Sequence, residues 1–140
     1  MIFRTRKVVK PSDLNPLNTL FGGRLLEWVD EECAIFCGCQ LGTSGLATKF
    51  MSEINFRRPA AQGDVVEIGV ETVAIGRTSI TVRCEVRDKD TGDLILEIAR
   101  VVFVALDRKG RPIPHRLGSG TAATPRLVPQ STEASGAAPA

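Results

Sequence analysis

Histidine occurs once, at His115, and the four cysteines never adopt a paired C-x2-C spacing. Cys33, Cys37 and Cys39 follow a C-x3-C-x-C order, Cys84 stands apart, and His115 is remote from all of them. A zinc site needs nitrogen and sulfur ligands at closer, paired spacings, so no metal is expected. The thiols are expected to be reduced, mostly buried, and to act as small hydrophobes. Long apolar runs are also missing. The apolar stretches are strand-sized and broken by charges, well short of the roughly 20 residues of a spanning helix. The start, MIFRTRKVVK, has no apolar core and no small-residue cleavage site, so it does not read as a secretory signal. A cytoplasmic protein with no membrane partner is the expectation. Clustered charge of one sign is absent too. The net charge is +2, with Lys and Arg scattered along the chain. A nucleic-acid footprint needs basic residues gathered on one face, so no nucleic-acid partner is expected. A small anion needs only one or two well-placed arginines and stays open.

What is present is enough for one domain. The chain has 140 residues, 43% of them hydrophobic and 24% charged. The last part, from Leu117 to Ala140, is rich in Gly, Ala, Ser, Thr and Pro and has no aromatic residue. It cannot bury enough apolar surface to offset its ordering entropy. The expected division is a folded domain over 1–116 and a disordered tail over 117–140.

Inside the domain the apolar period changes twice. Residues 3–9 form a short strand, and the loop KPSDLNPLNTL follows, full of turn formers. Phe21 to about Cys39 reads as helix. Leu25, Leu26, Val29, Cys33, Phe36 and Cys37 share one apolar arc; Arg24, Glu27 and Glu31 form a narrower polar arc, with Trp28 and Ile35 beyond it. A helix apolar over most of its girth is expected to be largely enclosed. Residues 46–57 read as one strand. A second carries Val66, Ile68 and Val70. In a third, Thr78, Ile80, Val82, Cys84 and Val86 alternate with polar neighbours. KDTGD at 89–93 makes a tight turn, and Leu94 to about Leu106 forms the last strand. One early helix followed by strands on short turns gives an α+β domain with an antiparallel sheet wrapped round the helix.

Four features carry possible chemistry. Asp30 sits at the edge of the apolar arc, where a partly desolvated carboxylate becomes a stronger base. A rim carboxylate that merely bonds a loop accounts for the same placement. Gly22 and Gly23 open the helix, where bare backbone N–H groups and the helix dipole can stabilise a negative oxygen. They also suit a tight turn. Asn15 and Asn18 precede that helix. An amide can polarise a carbonyl, yet Asn-Pro and Asn-Thr are ordinary turn pairs, and on the residues alone the turn stands. Gly76-Arg77-Thr78-Ser79 offers a cation and hydroxyl donors, or simply a hairpin turn.

Taken together and in order, these segments resemble a family. PSDLNPLNTLFGGRLLEWVDE at 11–31 is similar to the signature of the hotdog acyl-CoA thioesterases of the YciA and brain acyl-CoA hydrolase type. Ile54-Asn55-Phe56 with Pro59, Gly63-Asp64, Gly76-Arg77-Thr78-Ser79 and Phe103-Val104-Ala105-Leu106-Asp107 follow in the family's order. The resemblance covers nearly all of residues 8–114. It implies the hotdog fold, a five-stranded antiparallel sheet around one long central helix. It implies hydrolysis of acyl-CoA thioesters to a carboxylic acid and coenzyme A, with no metal and no separate cofactor. It also implies a homodimer with active sites at the interface, assembled further into a hexamer.

By the same resemblance Asp30 matches the catalytic acid, as general base or nucleophile. Asn15 matches a loop asparagine supplied by the opposite subunit, and Gly23 a backbone donor to the thioester oxygen. Gly22, Thr48, Asn55, Phe56, Gly76, Arg77, Thr78 and Ser79 match the substrate and coenzyme A side. The chain departs from the pattern in three places. Asn18 stands where relatives often have Gly, Phe21 where some have His, and Ser52 where many have an acid. A domain that binds acyl-CoA without cleaving it, as a sensor, would share the fold and the channel, but would have no reason to hold both Asn15 and Asp30. A hydratase on this fold would need an Asp/His dyad, and the one histidine lies at the domain's end.

Overall fold

A computed structural model of the chain describes residues 1–115 and the backbone of residues 120–121. Strand β1 (Ile2–Val8) leads through a 3-10 turn (Pro11–Asp13) to helix α1 (Gly22–Leu41). Strands β2 (Leu46–Met51), β3 (Ile54–Phe56), β4 (Val65–Ile75), β5 (Ser79–Asp88) and β6 (Leu94–Ala105) follow, with a two-residue β7 (Gly120–Thr121). All pairings are antiparallel, in the order β1-β4-β5-β6-β2; β3 also pairs with β6, and β7 with β4. The long helix lies against this sheet, and the hotdog architecture is the one observed. The expected disordered tail, 117–140, lies outside the described residues apart from β7.

The expected five strands are the five of the main path, with two additions. The stretch read as one strand over 46–57 is two, because the ladder changes hands at Ser52. The Ser52 N–H donates to the Arg100 carbonyl at 2.9 Å, while the Arg100 N–H donates to Ser52 Oγ at 3.1 Å. A side-chain oxygen there replaces a backbone carbonyl, so β2 and β3 follow β6 as one edge strand broken in the middle. β7 is the other addition.

The core forms where alternation meets helical period. Ile80, Val82, Cys84 and Val86 point inward from β5, as their spacing predicts, and meet Leu25, Val29, Cys33, Cys37 and Leu41 of α1. Full burial of each such aliphatic side chain contributes roughly 1.5–3 kcal/mol. The helix is less enclosed than expected. Trp28 is buried beneath the Lys7 ammonium, 5.7 Å from the ring centroid. Ile35, however, is exposed, because the sheet covers only one side of α1. The helix ends at Gly42, whose φ of 71° only glycine adopts readily, and its N–H bonds the Gly38 carbonyl. Buried Glu67 is matched by two arginines, Arg6 and Arg87, each at 3.0 Å.

Candidate active site

Asp30 projects from the middle of α1, half-buried, and β2 reaches it. The Thr48 hydroxyl donates to Asp30 Oδ1 at 2.7 Å. Thr48, expected on the substrate side, is thus brought onto the carboxylate itself. The bond orients the carboxyl group and leaves Oδ2 for another partner.

Asn15 is held by its own loop. Its Oδ1 accepts the N–H of Leu17 at 2.9 Å and of Thr19 at 3.1 Å, and Nδ2 donates to Thr19 Oγ1 at 3.0 Å. The turn role is therefore filled. Anchoring the oxygen also fixes the amide plane, so the second Nδ2 hydrogen has a defined direction. Within the loop Asn18 adopts φ 64°, the left-handed region, where asparagine is the best-tolerated residue after glycine.

The helix start is bare. Phe21 at the N-cap makes no side-chain cap bond, and the first backbone bond closing on it comes from Leu25. Neither Gly22 nor Gly23 has positive φ. A Cβ on Gly23 would have Phe21 as its nearest neighbour at 4.0 Å, and one on Gly22 would touch the Phe56 ring at an ordinary 3.5 Å. Neither a turn nor crowding within the chain requires glycine here, although glycine weakens a helix by about 1 kcal/mol relative to alanine. Gly22 and Phe56, both predicted site residues, line a cavity of about 380 Å³ with Leu20, Leu25, Ala60 and Ile95. Asn55 lies half-buried on β3 opposite Glu97.

The turn Gly76-Arg77-Thr78-Ser79 links β4 and β5. Phe103 pairs with Ile80 on one side and Thr48 on the other, so Ser79 adjoins a row that crosses the sheet to Thr48. Two strand spacings put Ile80, the residue after that turn, roughly 10 Å from Thr48. Gly23 and Asp30 are seven residues apart on one helix, again roughly 10 Å along its axis. Among the described residues, no hydrogen bond joins Asn15 to Asp30 within one chain. Nothing local marks the Thr48 bond in the sequence, since a lone threonine on a strand has no pattern of its own. Among the described residues no cluster of potential metal ligands occurs, and no helix is long and apolar enough to cross a membrane.

Known proteins share this fold. The thioesterase superfamily model matches residues 17–95. The acyl-CoA thioester hydrolase YkhA of Bacillus subtilis, itself uncharacterised, is 33% identical over 137 residues, 91% of this chain and 73% of its own. A hexameric thioesterase from Yersinia pestis superposes with a TM-score of 0.75 at 27% identity, over 82% of this chain and 95% of its own. An acyl-CoA hydrolase from Staphylococcus aureus, solved with butyryl coenzyme A and coenzyme A, gives a TM-score of 0.71 at 30% identity, over 79% and 66%. Fold, order of motifs and these likenesses agree, and the chain belongs to the thioesterase superfamily.

Proposed function

We propose that this protein hydrolyses acyl-CoA thioesters to a free carboxylic acid and coenzyme A. The observation that carries it is the oriented carboxylate of Asp30, gripped by Thr48, in a chain whose helix start is bare and open. Thioester cleavage needs an activated oxygen nucleophile and a donor for the developing oxyanion. Asp30 supplies the first. As general base it takes a proton from water while that water attacks the carbonyl. As nucleophile it attacks directly, expels the coenzyme A thiolate and leaves an anhydride for water to open. Isotopically labelled water in a single turnover separates the routes, since label in Asp30 marks the anhydride.

The Gly23 N–H and the outward hydrogen of Asn15 Nδ2 supply the donors. The roughly 10 Å of helix between Gly23 and the same chain's Asp30, and the absence of a hydrogen bond from Asn15 to that Asp30, favour a site shared between two chains, with Asn15 and Gly23 from one and Asp30 from the other. The edge of β2 beyond Thr48 is unpaired among the described residues and carries exposed Phe50, a surface suited to a second copy. The Yersinia relative is hexameric, and a hexamer, arranged as a trimer of dimers, is proposed here. The Staphylococcus enzyme has been solved with alanine replacing an aspartate and, separately, an asparagine fifteen positions earlier, the separation of Asn15 and Asp30. Gly76 to Ser79, with Arg77, receive the coenzyme A end.

Thiol release from short, medium and long acyl-CoAs tests the proposal. Turnover on at least one of them is expected. Silence across all lengths with binding retained would make the protein an acyl-CoA sensor instead.

A further inference from the structure

His115 is the one histidine and is only 8% exposed. Its bonds go to one place. Its backbone N–H donates to the Arg77 carbonyl at 3.2 Å, and its ring Nε2 lies 3.2 Å from the Ser79 carbonyl. A carbonyl only accepts, so Nε2 carries the hydrogen. Nδ1 is buried with no partner among the described residues.

The turn that His115 holds has a distinct polarity. The Thr78 carbonyl accepts from the Ala105 N–H at 2.8 Å, and the Ser79 carbonyl also accepts from the Gly76 N–H at 2.9 Å. The carbonyls of Arg77, Thr78 and Ser79 are thus all engaged from within the protein. Among the described residues the Arg77 and Thr78 N–H groups donate to no backbone carbonyl. Consecutive unspent N–H groups form a concavity that binds anions. The Arg77 side chain is exposed and makes no ion pair among the described residues.

We propose that His115 is a positioning residue: by fastening the carbonyls of Arg77 and Ser79 it keeps the Gly76–Ser79 turn in the shape that receives the phosphates of coenzyme A. The role rests on the reading above that this turn faces coenzyme A. Among the described residues the bonds of His115 go to Arg77 and Ser79 and not to Asp30. Its effect therefore belongs to binding of the nucleotide end and not to the chemical step.

The test compares His115→Ala and His115→Gln on an acyl-CoA and on the matching acyl-pantetheine, which lacks the phosphates. Glutamine can present an amide N–H near the place of Nε2. His115→Ala should raise KM for the acyl-CoA about tenfold, the loss of one hydrogen bond, with kcat unchanged. KM for acyl-pantetheine should stay at the wild-type value, and His115→Gln should recover most of the loss. Equal losses on both thioesters, or a lower kcat with KM unchanged, would overturn the role. Calorimetric binding of coenzyme A supplies an arm independent of turnover, with His115→Phe, which fills the space of the ring but has no donor for the Ser79 carbonyl, as the variant if His115→Ala does not fold. A wild type that binds coenzyme A but cleaves no thioester sinks the hydrolase reading alone; His115 is then judged by affinity, and wild-type affinity in the variant that lacks the donor, His115→Ala or His115→Phe, overturns its role. A wild type that does not bind coenzyme A overturns it too.

Discussion

The hydroxyl of Thr48 lies 2.7 Å from Asp30 Oδ1, and this bond ties strand β2 to helix α1 at the carboxylate. Replacing Thr48 by Val keeps the shape and removes the donor. Turnover should fall about tenfold, with KM little changed, because orientation of the carboxylate matters most in the transition state. Thr48→Ser should retain most of the rate. Steady-state kinetics of both variants decide, and wild-type turnover in Thr48→Val would show the bond to be incidental.

Asp30 itself has a larger effect. Asp30→Ala and Asp30→Asn should fold and assemble as wild type yet keep less than about a tenth of its turnover, as expected for a group within the general-base or nucleophile range of effects. The asparagine variant controls for lost contacts. Thiol release beside light scattering gives both readouts.

Asn15 serves its loop through the oxygen and, on the proposed mechanism, the substrate through the nitrogen. Asn15→Asp keeps an acceptor for the Leu17 and Thr19 N–H groups but loses the amide donor. It should melt within a few degrees of wild type and lose on the order of a hundredfold in turnover. Asn15→Ala should lose both activity and thermal stability. A fully active Asn15→Asp would leave Asn15 with the loop alone.

Gly23→Ala separates stability from function. The added methyl has room within the chain, and alanine is the better helix former, so the melting temperature should hold or rise by an amount worth up to about 1 kcal/mol. Activity should fall, since the methyl projects where the thioester approaches. Melting curves and kcat/KM measured together settle it, and an unimpaired Gly23→Ala would remove the helix start from the site.

The cysteines should differ in reactivity. A hydrogen bond with Cys84 and then burial push the Cys33 thiol well above the ordinary range, and burial does the same to Cys37. Cys39 is exposed. Alkylation of the native protein should therefore modify Cys39 alone, and denaturant should expose Cys33, Cys37 and Cys84. Mass spectrometry counts the adducts, and rapid native labelling at Cys33 would contradict the packing.

Much of the fold was legible because periodicity reports burial directly. The alternation from Thr78 to Val86 and the helical arc through Leu25, Val29, Cys33 and Cys37 both survive as core. Ile35 went the other way, since a sequence shows that a helix face is apolar but not whether the sheet reaches it. The break at Ser52 was hidden because it depends on one hydroxyl meeting one N–H from residue 100, a long-range pairing with no local mark. The site was half-legible. Asp30, Asn15 and the glycines stand in an ordered string, whereas Thr48 on Asp30 and His115 beneath Arg77 depend on contacts between distant segments.

Strand β2 has β6 on one flank and nothing described on the other, yet it carries the threonine that steadies the Asp30 carboxylate. Such a strand moves more freely in a solitary molecule than in a docked pair. The rate per molecule should therefore decline as the solution is diluted, before any unfolding begins, and recover on reconcentration.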